Sequence, residues 1–153
     1  MSSSSLVAVA TLSVACLTSA FAQTKDDAAS QLAAIFSQLR DLGRHSDASD
    51  PTPETRMRID KLISEQLQPE QLFRLGALTC VTAFPQEAGS DILYDAVFAY
   101  ASRRCAILLS KRADSSSADL LARLQPLCGR DGGEKLMYDE LIERQKKLAP
   151  HAP

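Results

Sequence analysis

The stretch AYASRRCAILLSKR, residues 99–112, decides how this chain folds. Placed on a wheel at about 100° per residue, Tyr94, Phe98, Ala101 and Cys105 gather on one side, with Leu108 and Leu109 flanking them. That is the apolar arc of a helix, and no two-residue alternation competes with it. Cys105 lies inside the arc, whereas Arg103 projects to the polar side. Arg104 falls at the arc's edge, beside Leu93, Val97 and Tyr100. It either snorkels outward along its aliphatic stem or meets a buried carboxylate, which marks it as the interaction or buried-pair residue of the stretch. A reactive thiol is partly exposed in an electropositive setting. An inward-facing Cys105 therefore reads as a structural residue rather than a nucleophile.

The same periodicity extends in both directions. Upstream, a helix opens after the capping-box pair Thr24 and Asp27, carries Leu32, Ile35, Phe36, Leu39 and Leu42, and closes at Gly43. A second helix starts at Thr52-Pro53, with proline at the first helical position. It runs to about Leu67, burying Met57, Ile59, Leu62 and Ile63. A third spans Glu70 to Phe84 and a fourth Asp91 to Arg112, acidic at its start and basic at its end as the helix dipole favours. Ser116 and Asp119 open a fifth, with Leu120, Leu121, Leu124 and Leu127 inward and Pro126 distorting or ending it. A sixth covers residues 134–148 with a solvated charged run, ERQKK. The fold class is all-α: a compact bundle of about six helices or stacked helical hairpins. Helix starts near residues 25, 70 and 116 recur at about 45 residues, in the range of HEAT-type repeats. The segments share no residue-level similarity.

The ends suggest a processing signal. Residues 6–22, LVAVATLSVACLTSAFA, carry no charge and close on Ala20-Phe21-Ala22, a small-x-small cleavage pattern. The run is short of the roughly 20 apolar residues that span a bilayer. The expectation is a cleaved signal peptide over 1–22, one helical domain over 23–149 and a disordered tail over 150–153, in a secreted or periplasmic protein. A membrane association follows only if the N-terminal segment is retained, or lipidated at Cys16. The n-region MSSSS contributes no basic side chain.

The chain has 153 residues, 17 basic and 19 acidic, for a net charge of −2. That balance does not attract polyanions, so nucleic acid is not an expected partner. No Asn occurs, which removes N-glycosylation. Three cysteines remain after the expected cleavage, Cys80, Cys105 and Cys128, and all three fall on apolar faces. With the third, fourth and fifth helices packed up, down and up, Cys80 and Cys105 sit on the order of 15 Å apart along the axis, with Cys128 about midway. A bridge needs Cα atoms within about 7 Å. Cys105–Cys128 is the expected pair, because a tight turn joins their helices; Cys80–Cys128 is the alternative.

Catalytic signals are sparse. His45 lies in a polar loop, RHSDASDPTP, and His151 in the tail, so neither stands beside a nucleophile. His45, Asp47 and Asp50 lack the spacing and turn glycine of a calcium loop. Asp91 and Asp95 share a face, yet helix capping accounts for them. No metal, cofactor or enzymatic activity is expected. The expected function is an exported, non-enzymatic protein-binding module of inhibitor, immunity or adaptor type, with another protein as its partner. The alternative is a carrier of an apolar small molecule lined by Tyr94, Phe98 and Tyr100.

Overall fold

A computed structural model describes residues 12–44, 50–83, 95–130 and 132–148, with side chains from Asp27 onward. Among these residues there are six helices: α1 (Leu12–Arg44), α2 (Pro53–Leu62), α3 (Pro69–Ala83), α4 (Ala96–Ser110), α5 (Ser115–Cys128) and α6 (Gly132–Leu148). Among the described residues there is no strand, so the all-α bundle is the fold.

Cross-helix contacts set the directions. Phe36 meets Phe98 with ring centroids 5.0 Å apart, and Gly43 lies by Asp95, so α1 runs against α4. Ser102 Oγ donates to the Gly76 carbonyl at 3.3 Å, and Asp95 N–H to that of Ala83 at 3.1 Å, which makes α3 antiparallel to α4. By the same logic α2 and α6 run with α4, and α5 runs with α3. The helices therefore alternate up and down along the chain. The fourth is the hub: it packs on all five others, and 11 of its 15 residues are buried. Leu39, Ile59, Ile63, Leu72, Leu75, Leu121 and Leu124 complete the core around it, each fully buried aliphatic side chain contributing about 2 kcal/mol.

Local chemistry explains most helix ends. Thr52 caps α2, its hydroxyl accepting from Thr55 N–H at 3.2 Å with Pro53 at the first position. Asp95 caps α4 by accepting from Val97 and Phe98 N–H at 3.0 and 3.2 Å. The fourth helix thus begins at Ala96 rather than at Asp91, which lies outside the described residues. Asp114, not Ser116, caps α5: its carboxylate takes Ser117 N–H at 2.7 Å and Ser117 Oγ at 2.9 Å. A charged acceptor one turn ahead of Ser117 outcompetes a neutral hydroxyl. The helix continues through Pro126 to Cys128. The first helix does not open after Thr24. It passes through that residue without a break, no Gly or Pro interrupting it from Leu12 to Leu42. The second stops at Leu62, five residues short of expectation, and leaves Met57 exposed.

The expected Cys105–Cys128 bridge is corrected. Cys80 and Cys128 form the disulfide, with Cα atoms 5.6 Å apart, and Cys105 is a buried free thiol. The reason lies at Gly76. A Cβ there would stand 3.1 Å from Leu124 Cδ2 and 3.2 Å from Cys105 Cβ, so the missing side chain lets α3 close on both neighbours. Gly76, Leu124 and Cys105 therefore share one level of the bundle. One turn further up the parallel pair α3 and α5, Cys80 meets Cys128, about 6 Å above Cys105.

Candidate functional site

All residues of α4 are buried except Tyr100, Arg103, Arg104 and Ile107. On the wheel these four occupy about 100° of arc, and Lys111, just past the helix end, prolongs the stripe. To one side stands α2 and to the other α6. Both pack on α4, yet among the described residues they do not touch each other. The stripe is consequently the floor of a groove whose walls are α2 and α6.

The two adjacent arginines diverge to opposite walls. Arg103 donates through Nε to Glu134 Oε1 of α6 at 2.8 Å, and through Nη2 to the same oxygen. Arg104 turns toward α2, its Nε 3.4 Å from Asp60 Oδ1. That approach is an ion pair without hydrogen-bond alignment, because Arg104 Nε is buried and has no hydrogen-bond partner. The same Asp60 oxygen accepts the Tyr100 hydroxyl at 3.0 Å, and the Arg56 guanidinium lies 5.9 Å from the Tyr100 ring centroid. Burial first, then the hydrogen bond to Asp60 and its charge, raise the Tyr100 hydroxyl above its ordinary 10.0, while Arg104 and Arg56 oppose the shift. Of the two readings for Arg104, the carboxylate partner is the one realised, with Asp60 half-buried.

At the lower end the groove opens into a cleft of about 390 Å³ lined by Glu65, Leu108, Lys111 and Arg112. Arg112 Nη2 donates to the carbonyls of Glu65 and Leu67, both at 2.6 Å, and so ties the chain after α2 to the end of α4. Gln145 holds α6 to the same region through the Leu109 and Arg112 carbonyls, both at 2.9 Å. Along the groove stand Arg56, Arg103, Arg104, Lys111 and Arg112 against Asp60, Glu65 and Glu134. Locally cations dominate, in a chain whose net charge is −2.

The remaining singled-out residues divide clearly. Cys105 is fully buried, and desolvation drives its thiol well above the ordinary 9.0 despite the nearby Arg104 charge. It lies outside the groove, on the opposite side of the helix. Phe98 is core, packed on Phe36, whereas Tyr100 faces the groove. Tyr94, Asp91, His45, Asp47 and His151 lie outside the described residues, and Asp50 is exposed. Among the described residues no group of His, Cys, Asp and Glu could hold a metal ion. No helix of these residues is long and apolar enough to cross a membrane. Asp60 and Glu134 escaped the sequence reading because each is remote in the chain from the arginine it meets. The available signal was the stripe itself, in which a tyrosine, two arginines and a lysine share one face of an otherwise apolar helix.

No protein-family model matches the chain, and neither does any curated protein or solved structure.

Proposed function

We propose that this protein is an exported, non-enzymatic module that binds another protein through the α4 groove. The observation that carries the reading is the groove itself. Among the described residues, the most buried helix of the fold leaves one stripe only partly buried, and that stripe presents Tyr100, Arg103, Arg104, Ile107 and, just beyond its end, the exposed Lys111. Tyrosine and arginine are the residue types enriched where proteins meet proteins. The walls are preorganised by Asp60 and Glu134, which lowers the ordering cost of docking. Export is supported by the Cys80–Cys128 disulfide, a feature of oxidising compartments, together with the uncharged leader-like segment ending at Ala22. The carrier alternative is less favoured: Phe98, one of its three lining residues, already fills its place against Phe36.

The test is to recover the tagged full chain, without reductant, from cells that produce it naturally, and to analyse both the co-purified proteins and an organic extract. A stoichiometric protein partner is expected, released by an Arg103→Glu, Arg104→Glu double variant. A stoichiometric lipophilic compound with no protein partner would replace this reading by the carrier.

A further inference from the structure

We infer that the α4 groove receives an acidic helical segment of the partner, gripped at two carboxylates two helical turns apart with an aliphatic residue between them. This rests on the protein-binding reading above and adds the chemistry of the partner.

The two arginines are not equivalent. Arg103 gives two of its N–H groups to Glu134. Arg104 reaches Asp60 only as a misaligned ion pair, and its buried Nε makes no hydrogen bond. Asp60 is engaged elsewhere, since its Oδ1 accepts the Tyr100 hydroxyl. A guanidinium is a planar fork of five donors suited to a bidentate carboxylate. The side chain is held between Asp60 and Tyr100 with 23% of its surface open to the groove, so its fork is positioned and under-used.

Lys111 supplies the second grip. It lies seven residues beyond Arg104 on nearly the same meridian, about 10.5 Å along the axis. It is exposed, and among the described residues no ion pair engages it. At its level Arg112 spends its guanidinium on the Glu65 and Leu67 backbone carbonyls, and Glu65 and Leu108 complete the lining. Between the two cations Ile107 is half-buried and faces the groove. The floor thus reads cation, aliphatic, cation along one line. A helix lying along α4 matches it with acids at i and i+7 and an apolar residue at i+3 or i+4. A third cation, Arg56 on the Tyr100 ring, extends the positive field beyond Arg104.

The probe is a synthetic helical peptide with glutamates seven residues apart and leucines between them. Its controls have glutamine in place of glutamate, or glutamates four apart. Binding to the full-length, disulfide-intact protein is measured by titration calorimetry at low and at physiological salt. The seven-spaced acidic peptide should bind on the order of tenfold more tightly than either control, and weaken with salt. Arg104→Gln and Lys111→Gln should each lose about tenfold, with Lys111→Gln, at an exposed site, leaving the urea midpoint unchanged. Equal binding of the glutamine peptide, undiminished binding by both variants, or preference for a single-stranded oligonucleotide each overturns the inference. Should the variants still retain a native protein partner, the binding-module reading stands and the acidic-segment inference falls. Specific peptide binding without any native protein partner gives the reverse outcome.

Discussion

Removing the Cys80–Cys128 bridge should cost this protein a large part of its stability, and Cys105 should be irrelevant to that loss. The bridge closes a loop with a sequence separation of 48. The chain-entropy relation gives about 14 cal/mol/K for such a loop, or about 4 kcal/mol at 25 °C. With an m-value of about 1.5 kcal/mol/M, the urea midpoint should fall by roughly 2.5 M on reduction. The assay is equilibrium urea unfolding, with and without reductant, of wild type, Cys80→Ala, Cys128→Ala and Cys105→Ala. Wild type and Cys105→Ala should both show the full drop. Cys80→Ala and Cys128→Ala should start near the reduced value and ignore reductant. A reductant response that survives in Cys80→Ala would mean that Cys105 reaches Cys128, and would refute the placement of Cys105 one turn below the bridge. So would the disappearance of the response in Cys105→Ala.

Three further outcomes are expected. Burial raises Cys105 above 9.0 and both Tyr100 and Tyr138 above 10.0; the unfolded chain therefore ionises these groups first, so stability is intact below about pH 9 and declines above it. The slope is up to about 1.4 kcal/mol per pH unit for each group, and urea unfolding at stepped pH should show it flattened by Cys105→Ala above pH 9 and by Tyr138→Phe above pH 10. Gly129→Ala would place a Cβ 2.9 Å from Tyr138 Cδ2 and 3.0 Å from the Gln125 carbonyl; overpacking of that kind costs about 2 kcal/mol, read as a fall in Tm of about 8 °C. Asp114→Ala removes the α5 cap at a cost of about 1 kcal/mol at neutral pH. Hydrogen bonding from Ser117 N–H holds the Asp114 carboxyl below its ordinary 3.8, so the wild-type advantage should persist above about pH 4 and vanish as acid protonates the carboxylate; equal sensitivity of the two proteins at pH 7 would refute the cap.

The readings that succeeded were local ones. Thr52-Pro53 and Gln68-Pro69 each place a helix start with a proline at its first position, and three- and four-residue apolar steps identify Ile35, Leu39, Ile59, Ile63, Leu120, Leu121 and Leu124 as core. Failures arose where neighbours several turns away compete. Met57 sits at helical spacing with Ile59 and Ile63 but finds no neighbouring helix to cover it, and is 61% exposed. Leu127 is 44% exposed, at the edge of the apolar arc that Leu120 and Leu124 define on α5.

The sequence by itself determined an all-helical bundle, the inward direction of Cys80, Cys105 and Cys128, and the divergence of Arg103 and Arg104 around their helix. Each of those follows from a fixed rotation of about 100° per residue, which needs no knowledge of neighbouring helices. Only the tertiary structure decided which cysteine meets Cys128, because that depends on the height at which α3 locks against α4 and α5. Gly76 sets that height, its absent side chain admitting Leu124 and Cys105 to contact. The groove was likewise a tertiary outcome. A stripe of Tyr100, Arg103, Arg104, Ile107 and Lys111 becomes the floor of a groove only because α2 and α6 pack on either side of α4 without meeting each other.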